Sequence, residues 1–155
     1  MKSKLTYSAM DVLLASPDTP TPADKRTHQL TRMWGGLNNL ETAESPTEDD
    51  WMVCSDAVNL METLIKMGLV EDSEGLIDDA IKALSEAANR TTQGKPMRLS
   101  GPGIQAVRGV LQDYSAVLEV LSHRQMVVAH RTTEATLQKI LKNAVDPIHA
   151  RLYSC

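Results

Sequence analysis

Phenylalanine is absent from this chain of 155 residues, and aromatic side chains are scarce: two Trp and three Tyr. A stacking platform for unpaired bases needs aromatic faces set among basic residues, so this chain has little to build one from. Cysteine is nearly absent as well. Cys54 sits inside an apolar helical pattern and Cys155 is the last residue. At most one disulfide is possible, and no metal-ligand spacing of cysteines exists. The expectation is one buried thiol and one exposed tail thiol. No apolar run approaches the ~18 residues of a membrane span, and no signal-peptide core follows Met1-Lys2-Ser3-Lys4. A cytoplasmic protein without membrane contact is expected. Alternating strand patterns are nearly missing, as are internal repeats, low-complexity tracts, the phosphate-binding P-loop pattern and the nucleophile elbow.

What is present is apolar spacing of three and four almost throughout. Residues 1–20 are the exception, an arm read as partly irregular: an extended start, one or two helical turns over 8–15, then the breaker Ser16-Pro17-Asp18-Thr19-Pro20. Residues 21–155 read as a single helical domain. Thr21-Pro22 predicts a cap followed by Pro at the first helical position. The helix over 22–43 carries Leu30, Met33, Trp34, Leu37 and Leu40 on one stripe. Gly35-Gly36 within it marks either a close helix crossing or a bend, since each glycine weakens a helix by about 1 kcal/mol relative to Ala. Thr47 opens the next helix, with Glu48, Asp49 and Asp50 suited to the positive end of its dipole, and Gly68 is its C-terminal cap candidate. A fourth helix is expected over 72–89. A fifth follows Ser100-Gly101-Pro102-Gly103, and a sixth, capped by Ser122, spans 123–142. Asp146-Pro147 predicts one more turn. The fold class is all-α: a bundle of four to six helices, ending in an antiparallel C-terminal hairpin because the link between the last two long helices is very short.

Charge is unevenly spread. Residues 41–86 hold 13 acids and two bases, a net of −11; residues 95–155 hold eight bases and four acids, a net of +4. One reading is two solvated faces that attract each other in the fold. The other is a bipolar protein that docks partners by charge. On the second reading Glu48, Asp49, Asp50, Asp78 and Asp79 meet a partner protein, with Trp34 and Trp51 as apolar anchors wherever they escape the core. Arg124, Arg131, Lys139 and Lys142 form the alternative surface, for nucleic acid, with weak support because the bases are diluted along an amphipathic helix.

Other constellations carry chemistry only if the fold converges them. His130 and Glu134 are one helical turn apart and His123 two turns before, so they are candidate metal ligands, completed by His28, His149 or a carboxylate. Lys95, Arg98, Ser100, Gly101 and Gly103 flank a helix start whose free N–H groups suit an anion, although Pro102 removes one donor. The blander reading of each is a capped loop and a half-buried histidine. No catalytic residue and no cofactor are expected. If one apolar stripe is left over, two chains pair through it, most simply as a two-fold homodimer.

Three stretches, Arg32-Met33-Trp34-Gly35-Gly36-Leu37, Asp49-Asp50-Trp51 with Asp56-Ala57-Val58-Asn59, and Gly101-Pro102-Gly103-Ile104-Gln105-Ala106-Val107-Arg108, resemble uncharacterised small helical accessory proteins of proteobacterial phages, prophages and mobile elements. The resemblance covers roughly residues 25–142. It implies a bacterial cytoplasmic setting and an accessory role, and assigns no functional residue. Together these readings give a small non-catalytic interaction or regulatory protein that binds another protein through helical faces, with modulation of a host complex as one form of that role. Nucleic-acid binding through the basic hairpin and a metal- or anion-dependent enzyme are the alternatives.

Overall fold

Local capping chemistry sets most of the helix starts. The computed structural model describes residues 5–72 and 75–143, which contain six helices: α1 (Ala9–Leu14), α2 (Ala23–Thr42), α3 (Glu48–Lys66), α4 (Leu76–Thr92), α5 (Gly101–Val120) and α6 (His123–Asn143). The chain is an all-α bundle, with no strand among the described residues. Thr47 caps α3 in a reciprocal box: its Oγ1 accepts from the Asp50 N–H at 3.2 Å, and Asp50 Oδ2 accepts from the Thr47 N–H at 2.8 Å. Ser8 and Asp11 repeat the device on α1. Ser122 and Gln125 do so at the start of α6, and Ser100 Oγ accepts from the Gly103 N–H at 3.3 Å. Gly68, with φ +74, ends α3 in the left-handed conformation, while the Leu69 N–H closes onto the Leu64 carbonyl at 3.0 Å.

Two boundaries differ from the sequence reading. Thr21 does not cap α2: its hydroxyl is bonded to His123 Nδ1 at 3.1 Å, so Pro22 takes the cap position without a side-chain bond. The fourth helix starts at Leu76 and not at 72, because Gly75 is left-handed, and it runs on to Thr92. The expected turn after Asp146-Pro147, together with His149 and Cys155, lies outside the described residues.

Packing follows small residues. A methyl placed on Gly36 would collide with Val53 Cγ2 and come within 2.9 Å of the Asp50 carbonyl, so the glycine pair marks a close crossing of α2 and α3. Gly103 faces Ala83 and Gly109 faces Leu76, which lets α4 lie along α5 in the most extensive helix contact of the fold. This also overturns the C-terminal hairpin. Leu121 is extended (φ −73, ψ 146), and α6 turns away from α5 to pack on α3 and α1. The packing partners of α5 are α4, α3 and α2.

The N-terminal arm is tied to α6 by backbone. Pro20 bridges Ser122 in an isolated antiparallel pair, the His123 N–H donates to the Thr19 carbonyl at 2.8 Å, and the Arg124 N–H to the Ser16 carbonyl at 3.0 Å. Side-chain pairs fix helix directions: Asn39–Asp50 sets α2 antiparallel to α3, Arg108–Glu41 and Tyr114–Gln29 set α2 antiparallel to α5, and the Gly103–Ala83 and Gly109–Leu76 contacts set α5 antiparallel to α4. Thus α3 and α4 run in opposite directions. At the centre lie Leu37, Leu40, Trp51, Val58, Leu84 and Leu111, all fully buried.

Candidate functional site

The antiparallel run of α3 and α4 separates the acids that the sequence suggested as one docking face. Glu48 and Asp49 are exposed at the start of α3, and Asp78 and Asp79 are exposed at the start of α4. In the antiparallel pair these starts lie on opposite sides of the contact between Trp51 and Leu84. Asp50 is held inward by Thr47 and by Asn39 Nδ2 at 2.9 Å. Burial pushes its carboxyl up, but those hydrogen bonds outweigh the push and leave it below its usual range. Trp51 cannot meet a partner: it is 0% exposed and donates from Nε1 to the Leu84 carbonyl at 2.8 Å. Trp34 is half-buried against the core.

The basic candidates divide in the same way. Arg124 serves the fold: its Nε reaches the carbonyls of Val12 and Ala15 at 3.0 and 3.1 Å, and Nη2 reaches that of Leu13 at 2.9 Å, which caps the C-terminal end of α1. It is not available to a phosphate. Arg131 is half-buried with its Nε enclosed, whereas Lys139 and Lys142 are exposed. In the expected anion loop, Arg98 donates to the Ala43 carbonyl at the end of α2, the Ser100 hydroxyl caps α5, and Gly103 is buried against Ala83. Lys95 and Gly101 remain exposed, so no cradle of donors converges there. Among the described residues no group of three or more His, Cys, Asp or Glu could hold a metal ion. Cys54 is buried in the core, and burial, with the charge of Asp50, pushes its thiol up to about 12, far from thiolate reactivity.

Two features emerge that no sequence pattern announced. The first is a set of large apolar side chains left exposed on α1 and at the end of α5. Met10, Leu13 and Leu14 of α1 are 59%, 68% and 76% exposed, and Val120 at the end of α5 is 78% exposed. Arg124, four residues after Val120, holds α1 beside the start of α6. Sequence reading missed the patch because a six-residue helix has too few turns to show which of its faces is covered.

The second is a cavity of about 370 Å³ between the arm and the helices. α2 contributes Gln29, Arg32 and Met33; α3 contributes Asp56, Ala57 and Leu60; α5 contributes Tyr114; α6 contributes His130, Thr133, Glu134 and Leu137. Thr6 and Tyr7 close it from the arm: the Thr6 N–H donates to Glu134 Oε2 at 2.8 Å, and the Tyr7 ring lies 5.6 Å from that of His130, tilted by 56°. Thr133 is engaged by Thr63 at 2.6 Å and by the Ala129 carbonyl at 2.9 Å. Of the candidate metal ligands, His130 and Glu134 share this wall, while His123 is turned to Thr21.

Both α6 histidines are held neutral. Burial lowers the pKa of His130, opposed by Glu134 and reinforced by His123; burial and Lys25 lower that of His123. A histidine whose folded pKa lies below its unfolded value of 6.5 contributes stability that is complete above that pH and is lost as pH falls towards the folded value. The urea midpoint should therefore be flat between about pH 7 and 8 and decline below about 6.5, in the ordinary histidine range. Asp50 adds its own loss only at and below the ordinary 3.8 of its carboxyl. His130→Gln should make the decline between those two ranges shallower, leaving the share due to His123; a wild-type midpoint that rises on acidification to about pH 5.5 would contradict this assignment.

No helix of the described residues is long and apolar enough to cross a membrane. No family model, no curated protein and no solved structure matches this chain.

Proposed function

We propose that this is a non-catalytic interaction protein that binds another protein through the apolar side chains exposed on α1 and at the close of α5. One observation carries the reading: three of the six residues of α1 are large hydrophobics left in solvent, on a helix otherwise fixed by a capping box and by Arg124. Apolar side chains scattered singly are ordinary, whereas a cluster on an anchored element is the usual mark of a docking surface. Because α1 is already tied down, a partner would meet a formed face and lose little ordering entropy on binding. The resemblance to accessory proteins of mobile elements agrees with a role on a host complex. The acidic helix starts would steer a basic partner from a distance without forming its contact.

A photo-crosslinking residue placed at Leu14, and in a second sample at exposed Gln112 of α5, tests this in the lysate of the source cell. The Leu14 probe should give an adduct of defined mass that disappears when Leu13→Asp is added, and the Gln112 probe should give none. No adduct at Leu14, or equal labelling at both positions, would overturn the reading. An adduct to a second copy of the chain would replace it with self-association.

A further inference from the structure

The cavity between the arm and the helices has a chemistry of its own. Its inner wall is apolar, with Met33, Leu60 and Leu137 buried there. Two tyrosine rings and the His130 ring line it as well. Three formal charges face it: Arg32, Asp56 and Glu134, a net of −1 with His130 neutral. Arg32 and Asp56 are exposed and so screened by water. Glu134 is half-buried and lies deeper. One of its oxygens accepts the Thr6 N–H, and no bond reaches Oε1 among the described residues. A carboxylate has about four acceptor positions, so Glu134, which lines the cavity, keeps acceptor capacity beyond the bond from Thr6. The negative field is felt by Tyr7, whose hydroxyl is pushed up by burial and further by Asp11 and Glu134.

An anion placed here would add like charge beside Glu134. A neutral apolar guest would strip water from that carboxylate and return nothing. A cation with an apolar body satisfies each wall in turn: N–H groups to the carboxylate, positive charge against an aromatic face, carbon against Met33 and Leu60. At about 370 Å³ the space falls at the lower end of ligand sites and suits a guest of roughly ten to twenty heavy atoms or fewer. We propose that this pocket is a binding site for a small organic cation, a primary alkyl- or arylalkylammonium, with Glu134 as its counter-charge.

Three probes of nearly equal shape test the charge alone: 2-phenylethylammonium chloride, 2-phenylethanol and 3-phenylpropanoate, titrated into the intact chain at about pH 7.5 while backbone amide NMR signals are followed. The ammonium should bind at least ~10-fold tighter than the alcohol, the worth of one charge-assisted hydrogen bond, and the propanoate should bind weakest. Shifts should centre on Thr6, Tyr7 and His130. Glu134→Gln retains an acceptor for the Thr6 N–H and should erase most of the preference for the ammonium. Arg32→Gln changes only an exposed side chain and should tighten the ammonium by about two- to three-fold, as expected for a screened surface charge. Equal binding of the three probes, tighter binding of the propanoate, an unchanged preference in Glu134→Gln, or no shift with the ammonium at ~10 mM would each overturn the proposal.

Discussion

Trp51→Ala should lower the thermal midpoint by about 6–20 °C, the largest single loss expected from this chain. Trp51 is fully buried in a protein that has no Phe to share the central volume. Truncating a buried Trp costs about 3–5 kcal/mol through lost transfer energy and a residual cavity. A chain of this size converts each kcal/mol into roughly 2–4 °C. The site has little freedom to collapse, because Trp51 is anchored at both ends: its backbone belongs to the capped first turn of α3, and its Nε1 is bonded to the Leu84 carbonyl of α4. Trp51→Phe separates the two contributions. It retains most of the apolar volume and loses the hydrogen bond, at a cost of about 1–2 kcal/mol. Calorimetry on the two variants checks both numbers. A midpoint for Trp51→Ala within a degree or two of the parent would show that α3 and α4 do not meet through this side chain.

Alanine at Gly35 and at Gly36 should move stability in opposite directions, although the two are neighbours in one helix. Nothing lies within 4 Å of a methyl built on Gly35, so Gly35→Ala should stabilise by about 0.5–1 kcal/mol through the entropy that glycine loses on folding. At Gly36 the same methyl meets Val53 and, at 2.9 Å, the backbone carbonyl of Asp50. A side chain can rotate away, but that carbonyl belongs to a helix turn held by Thr47. The helices must part, at a cost of about 1–3 kcal/mol for an overpacked contact. This exceeds the propensity gain. Urea denaturation with an unchanged slope is the measurement. If Gly36→Ala also stabilises, the close crossing of α2 and α3 is wrong and the glycine pair marks a bend.

That pair shows where reading a sequence stops. The spacing of Met33, Leu37 and Leu40 puts the dipeptide inside a helix, and the composition says that a helix would be weakened there. Which glycine faces a neighbour depends on the rotation of α2 against α3, and that is set by all the contacts between them. The acids behave alike. Their crowding into residues 41–86 is plain in the chain, yet antiparallel packing sends Glu48 and Asp78 to opposite sides of the Trp51–Leu84 contact and splits the single face. Arg124 reads as one more base on an amphipathic helix, but its partners are carbonyls at positions 12, 13 and 15. The expected hairpin failed because a short link limits where α6 can start and says nothing about which helix it meets. His130 and Glu134 were visible as a one-turn pair; the rings and the arm that make a pocket of them were not.

What the sequence by itself determined is what neighbours within a few residues decide: the six helices, their reciprocal caps at Thr47 and Ser122, the burial of Cys54 and the apolar stripes. Those depend on dihedrals, hydrogen bonds and side-chain spacing closed within one or two turns. Only the tertiary structure decided the cavity, the exposed face of α1 and the roles of Trp51 and Arg124. Each of these requires groups far apart in the chain to meet, as when the amide of Thr6 reaches a carboxylate 128 positions away. Which distant groups meet is fixed by how the stripes of all six helices are buried at once, and that is a property of the whole packing and not of any one segment.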